Sequence, residues 1–459
     1  MTGSFKVARL GSEKIGKLLL EMSSQTTFSL LVYAIYSITD TYFLSVGINS
    51  LAAAGSSIIS PVLIALGGVA TIVGAGGASV VSRALGEMNI EKASRTVANT
   101  FLIFWTVAIT ITIFGSIFIK PIVYLLGATD TIAPYAIAYG RIIFLGAITS
   151  TGYSAIIRAD GNARFSTAIW VIPVTINTVL CWLFIMELHL GVSGAALATV
   201  SGQTVSVLMS VYFFFFRKNR SYYIKAAYFK PDWSIINEVL MIGLPSFLKS
   251  ISTSLIVIVT NNLLKAIGGD SALGIYAIVS RLYSALSMPQ TGIVQGMQPL
   301  VAYNFGQKRF DRVRKTVTLS LGAAVGYGVL VCSICLLIPA TLIALLSKES
   351  VIITDGQIAL RLLSLSYPLT GVAIMVAAYF QSIGKAREAL YLALGGIFVV
   401  KLPVLLLSSS LFSLNGIWAS EAISEFILCI LALLMLKNYQ AKMPAVTHPV
   451  FNPQSELGD

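Results

Sequence analysis

The chain has 459 residues, of which 56% are hydrophobic and only 11% charged, with a formal net charge of +12. Soluble globular chains carry about a quarter charged residues, so this supply cannot build a surface that faces water on all sides. The amino-terminal stretch MTGSFKVARLGSEKIGK is polar and basic, without the apolar core and small-residue cleavage site of a secretory signal.

Apolar runs long enough to cross a bilayer as helices are predicted near 16–46, 51–79, 94–119, 132–157, 166–187, 192–216, 236–265, 272–301, 316–346, 357–383, 389–411 and 415–436. They lack the alternation of a membrane barrel, and only helices or closed barrels satisfy their backbone in lipid. The expected fold is therefore all-α and polytopic, with twelve transmembrane helices. The 31 Lys and Arg are spread unevenly over this layout. Lys120, Lys265 and Lys348 fall in one set of loops, and Arg141, Lys249, Arg281, Arg361 and Lys401 fall inside spans. The rest lie at the amino terminus, in the alternate loops and in the carboxyl tail. This is the positive-inside pattern, so both termini are predicted to be cytoplasmic in a cell membrane. The basic charge then anchors topology and implies no nucleic-acid partner. Cys181, Cys332, Cys335 and Cys429 all lie in apolar runs, and the C-x-x-C of Cys332 and Cys335 reads as small residues packed in a helix.

The basic stretch RKNRSYYIKAAYFKPDW (217–233) sits at the centre of the chain. The expected organisation is a first lobe over 1–216, a cytoplasmic linker over 217–235, a second lobe over 236–437 and a flexible cytoplasmic tail over 438–459. The two halves repeat: GEMNIEKASRTV (86–97) answers GQKRFDRVRKTV (306–317), IRADGNAR (157–164) answers FQSIGKAR (380–387), and GVSGAALAT (191–199) answers SLNGIWASE (413–421). Repeats in the same orientation are related by an axis along the membrane normal, with a cavity between them suited to alternating access.

Enzyme readings find no support. The only histidines are His189 and His448, and no H-E-x-x-H, G-x-S-x-G or P-loop pattern occurs. Transport energy is then expected from an ion gradient, with no cofactor. A carboxylate at the centre of a spanning helix costs about 2.5–3.5 kcal/mol, so intramembrane acids are informative. Asp40, in YSITDTYFL, is the clearest, one turn after Tyr36; Asn177 and Thr199 fall at a similar depth in the fifth and sixth spans. A carboxylate with oxygen donors suits H⁺ or Na⁺, since hard cations prefer oxygen ligands. The alternative is a packing anchor bonded to neighbouring hydroxyls. In the second half the repeat places Asn261 opposite Asp40 and Glu421 opposite Thr199. Glu421 and Glu425 share a helix face, and Lys401 at similar depth is expected to pair with one of them or to serve coupling or substrate binding. Lys249, Arg281 and Arg361 have no partner named by the sequence.

At these residues the chain resembles the multidrug and toxin extrusion (MATE) family, within the wider group that includes lipid flippases. AIVSRLYSALSMPQTGIVQGMQPLVAYNFGQ (277–307) is similar to that family's eighth-helix signature, and GVATIVGAGGASVVSRALGE (68–87) to its counterpart in the first half. TDTYF (39–43), IIRADGNAR (156–164), INTVLCW (176–182) and GAALAT (194–199) follow further motifs, so the likeness covers most of the chain. The resemblance implies a V-shaped, two-lobed exporter of cationic, often aromatic, compounds by antiport with H⁺ or Na⁺. Asp40 matches the family's coupling carboxylate, and Asn177 and Thr199 match polar members of its amino-terminal cation site. Cys181 stands where many relatives have Asp, Ser154 where many have Asn, and Gln25 where some have a bending proline; Lys249, Ser250 and Ser252 occupy the place of a seventh-helix carboxylate, so the chain sits nearer the bacterial subgroups lacking it. The expected function is efflux of small cationic or amphipathic compounds by one chain in the lipid membrane, with no obligatory protein partner. The rival is a flippase or exporter of lipid-linked or anionic substrates, with a basic cavity built from Lys249, Arg281, Arg361 and Lys401.

Overall fold

A computed structural model of the chain describes residues 2–48, 50–149, 153–217, 221–347 and 349–442; Lys348 and the tail from 443 on, with His448, lie outside the described residues. Among these there is no strand. Nine helical stretches are long and apolar enough to cross a membrane, and a bent pair, Ser350–Ser364 with Tyr367–Ser382 at 43°, makes a tenth. Two of the nine are each two helices in series: Trp233–Gly306 breaks at Gly269 (φ 62°, ψ −154°), and the stretch ending at Ala441 breaks at Ser413 (φ 51°, ψ −131°). The described residues therefore hold twelve spans. They are α1 (Ile15–Gly47), α2 (Ser50–Gly86), α3 (Ile90–Ile117), α4 (Ala133–Ala159), α5 (Ala163–Glu187), α6 (Gly191–Phe216), α7 (233–268), α8 (270–306), α9 (Phe310–Leu337), α10 (the bent pair), α11 (386–412) and α12 (414–441). A short helix, Thr2–Ser12, precedes them.

Helix starts follow local chemistry. The Asn89 side chain caps α3 by accepting from the Lys92 amide at 2.9 Å, and Asp232 caps α7 at the Ser234 and Ile235 amides. The repeated sequences carry repeated backbone. Met88 and Lys308, at matching places in the first pair of motifs, both have φ 59°. Gly161 and Gly384 match in the second pair, and Gly191 and Ser413 in the third, all with positive φ. Only glycine adopts that region freely, so Ser413 is held there by the packing of its lobe.

The halves meet near their basic ends through small residues, as helices packed in lipid do. A Cβ on Gly86 would strike the Tyr303 carbonyl oxygen, and one on Gly306 would strike that of Arg83. The same reciprocity links Gly76 with the α7 backbone at Val239 and Gly243, and Gly296 with Ser23. One apolar cluster there draws on both halves, from Leu10, Met22 and Leu85 to Met297, Tyr303 and Leu436. Towards the other end the buried apolar residues divide into two clusters. One runs from Leu44 to Ala198 and the other from Leu264 to Trp418. The result is a V of two pseudo-symmetric six-helix lobes, joined at the basic end and parted at the other.

Two span ends differ from expectation. The second span runs on to Gly86 and the fourth to Ala159, which puts Arg83 and Arg158 on helices instead of in loops. Each is tolerated because its charge is engaged. Arg83 and Lys92 both pair with Glu238 of α7, at 2.9 and 3.1 Å, across the lobe junction. Arg158 is held by Thr26 and Gln295.

Candidate functional site

Between the lobes lies a cavity of about 770 Å³, within the range usual for small-molecule sites. Aromatic groups line it, with Tyr33 edge-on to Trp170 at 5.6 Å between ring centroids and Tyr36 and Phe247 nearby. Among the described lining residues there is no carboxylate; Arg158 and Lys249 are the charged ones. Arg158, 8% exposed, donates to Thr26 Oγ1 at 2.5 Å and to Gln295 Oε1 of the other lobe at 3.2 Å. Gln381, its counterpart in the repeat, donates to Ser246 Oγ at 2.7 Å. Ser79 in turn donates to the Gln381 carbonyl at 2.6 Å. These bonds tie the lobes together at the cavity floor.

The amino-terminal lobe gathers a polar group at the cavity wall. Asn177 and Cys181 stand four apart on one face of α5. Gly202 on α6 has only room for hydrogen against the Pro173 carbonyl and Asn177 Cβ, which brings α6 close at that level. The Cys181 thiol lies 3.6 Å from Asp40 Oδ1 and 3.7 Å from Asn177 Oδ1, and Asn177 Nδ2 lies 3.4 Å from Thr199 Oγ1. A thiol carries one weak donor hydrogen, so it serves one acceptor at a time. Tyr36 and Tyr139 reach Thr199 with their hydroxyls. Asp40 is half-buried, and among the described residues no cation lies within ion-pair distance of it. Tyr36, Asn177 and Thr199 line the cavity; Asp40 itself does not. The structure thus brings Asp40, Tyr36, Asn177 and Thr199 together, and adds Cys181 and Tyr139. Ser154 is elsewhere, accepting from the Trp170 indole at 3.0 Å. Gln25 lies within continuous helix and its carbonyl accepts from Ser29 and Thr167.

The carboxyl-terminal lobe is built differently. Lys401 ends a π-helical stretch, Tyr391–Lys401, and its Nζ reaches Glu421 Oε1 at 2.6 Å and Glu425 Oε1 at 2.7 Å. It pairs with both acids, where the sequence named either. Lys249 lines the cavity close enough to feel this cluster, but no carboxylate lies within ion-pair distance of it among the described residues. Asn261 is half-buried on α7 and joins neither group, so the repeat's pairing with Asp40 carries no shared chemistry. Arg281 and Arg361 are exposed and line no part of the cavity. With Lys401 bound twice, the basic cavity expected for a phosphate-bearing substrate keeps only Lys249 of its four proposed members.

Sequence reasoning missed Tyr139, Tyr283 and above all Arg158. The repeat held the signal for the last, because Arg158 and Gln381 occupy one slot in IRADGNAR and FQSIGKAR and both are polar.

A family model described as MatE matches residues 26–183 and again 245–407, once in each lobe. "Multidrug export protein MepA" of Staphylococcus saprophyticus is 28% identical over 419 residues, covering 88% of this chain and 90% of that protein. The protein of the same name from Staphylococcus aureus (strain MRSA252) is 28% identical over 92% of this chain and 93% of its own. A solved structure titled "Crystal structure of MATE in the bent conformation" superposes with a TM-score of 0.90 at 22% identity, over 96% of this chain and 98% of that one. "Outward-facing conformation of a multidrug resistance MATE family transporter of the MOP superfamily" gives 0.88 at 24%, over 95% and 98%. With its model matched in both halves of one continuous two-lobed fold, the chain belongs to the MATE family of membrane transporters and is not an enzyme.

Proposed function

We propose that the chain is a secondary-active efflux antiporter, exporting small cationic or amphipathic organic compounds from the cell in exchange for protons taken up at Asp40. The relatives named multidrug export proteins support the direction and breadth of transport. The observation that carries the coupling is a half-buried carboxyl group beside the cavity with a thiol neighbour and, among the described residues, no cation to hold its charge. The described wall carries no carboxylate, so the counter-charge nearest an organic cation there is Asp40, beside the lining residues Asn177 and Thr199, and cation and proton are rivals for that group. Protonation removes the negative charge and weakens Asp40 as an acceptor, so the Cys181 thiol turns to Asn177 Oδ1 and the polar group at the wall rearranges. Release of the substrate follows, and the emptied lobes rock back.

The positive-inside rule puts the basic end in the cytoplasm. The lobes are joined at that end, so the cavity in this conformation is exposed to the exterior. One chain encloses the cavity, which supports function as a monomer. A sulfur atom beside the carboxylate favours H⁺ over Na⁺, because Na⁺ needs a fuller cage of oxygens. The test is Asp40→Asn in proteoliposomes under an imposed pH gradient. Gradient-driven dye efflux is expected to fall to the protein-free background; efflux at the wild-type rate defeats the reading. A Na⁺ jump at clamped pH is expected to drive nothing, and transport in that experiment reverses the choice of ion.

A further inference from the structure

The carboxyl-terminal charge cluster does not balance within itself. Glu421 and Glu425 each give one oxygen to Lys401, so two carboxylates share a single ammonium. Glu425 is 3% exposed, and its second oxygen, Oε2, is buried without a hydrogen-bond partner among the described residues. The groups facing it can be named from every packed helix. Lys401 comes from α11, Lys249 from α7, Tyr283 and, towards Glu421, Tyr276 from α8, and Glu421 and Cys429 from α12 itself. The Tyr283 hydroxyl is already engaged with Thr370 and Ser366 of α10, at 3.2 and 3.3 Å. A surplus negative charge inside a membrane is costly, and an unsatisfied carboxylate oxygen there more so.

Two arrangements remove that surplus. In one, Lys249 turns its ammonium towards the glutamates. In the other, a proton from water in the cavity forms an O–H bond at Glu425 Oε2, leaving a neutral acid beside a neutral Lys401–Glu421 pair. Lys249 decides between them because it also lines the cavity wall. Whatever draws its ammonium into the cavity leaves the glutamates to take up a proton.

We propose that Glu425, with Glu421, forms a second proton-binding site, in the carboxyl-terminal lobe, whose occupancy is governed by Lys249 at the cavity wall. The site extends the antiport reading to a proton in each lobe, but its existence does not depend on coupling at Asp40.

The experiment is infrared difference titration of the purified chain in lipid nanodiscs, with ¹³C in the glutamate side-chain carboxyls. The label makes Asp40 silent at the isotope-shifted position. A protonated glutamic acid band is expected that disappears in Glu425→Gln and persists in Asp40→Asn. Lys249→Met keeps all three ion-pair partners and removes the alternative counter-charge, so the band should survive to roughly one pH unit higher; this variant also carries the test should Glu425→Gln fail to fold. Absence of the band at every pH at which the protein stays folded overturns the site, as does a band untouched by Glu425→Gln. A titration unchanged in Lys249→Met overturns the control by that lysine. Loss of the antiport reading through Asp40→Asn would leave each of these spectra as it is.

Discussion

The two lobes are one architecture carrying two chemistries. Their turns share unusual backbone at Met88 and Lys308, and their junction is reciprocal at Gly86 and Gly306. Yet the first lobe leaves Asp40 beside a thiol, an amide and hydroxyls, whereas the second locks two glutamates onto Lys401. Duplication has therefore preserved what sets the path of the backbone and freed the buried polar positions. A lone acid can change charge at the cost of one weak hydrogen bond. A bridged pair resists change until its balance is upset from outside.

The sharpest way to break this contrast is to remove the bridge. Lys401→Met removes the ammonium that Glu421 and the buried Glu425 share, and loss of one partner from a buried ion pair costs about 3–5 kcal/mol. Thermal unfolding in detergent is expected to show a large fall in Tm. The triple variant Lys401→Met, Glu421→Gln, Glu425→Gln should recover most of it, since no carboxylate is then left without its partner. Asp40→Asn, by contrast, should leave Tm nearly unchanged. Equal losses in the two lobes would show that the difference between them is one of appearance only.

The shared part of the comparison is tested at the junction. Gly86→Val and Gly306→Val each force a side chain against the opposing carbonyl, and overpacking of this kind costs about 1–3 kcal/mol. Because the contact is reciprocal, the two variants should be destabilised equally in the conformation closed at the basic end. Distances between labels across that end should lengthen alike. A marked inequality would mean that the pseudo-symmetry of the backbone does not extend to its energetics.

Much of this was legible in the sequence, for physical reasons that can be named. Twelve spans could be read because lipid demands long apolar helices, and the repeat because positive-φ turns and glycine contacts tolerate few substitutions. Asp40, Asn177 and Thr199 stood out as polar groups in apolar runs, and the structure gathers them. Span ends were less legible. Arg83 and Arg158 read as loop charges, since nothing local shows that Glu238 will meet one across the junction or that Thr26 and Gln295 will bond the other. Cys181 read as a loss from the site because a thiol resembles a small apolar residue until its acceptor is placed. Asn261 shows the converse: a repeat aligns backbone positions, and side-chain function does not follow from it.

The smallest expected effect lies where the amino-terminal helix crosses to the other lobe. Its last carbonyls are held by Asn304 on Leu10, Arg309 on Gly11 and Arg312 on Leu10 and Glu13, at 2.6–3.1 Å. These bonds contain no titrating acceptor. Beside them, Arg9 pairs with Glu13 and Glu21 at the surface, and the hydrogen bond from Arg9 holds the Glu13 carboxyl below its usual range. A carboxyl lowered on folding adds stability above its unfolded pKa, and loses it as the pH falls through the folded value. Exposed pairs are weak and screened by salt, so the global unfolding transition should barely move. The local effect is what separates the two kinds of contact. Hydrogen exchange at Arg9 to Glu13 should quicken as the pH falls through the carboxylate range, after correction for the intrinsic pH dependence, and as salt is raised at neutral pH. In Glu13→Gln both responses should be largely lost, because the arginine bonds to backbone carbonyls remain. If instead exchange in that variant follows pH as in the wild type, the crossing is governed by another titrating group, and the uncharged carbonyl clamp is not what holds the helix to the second lobe.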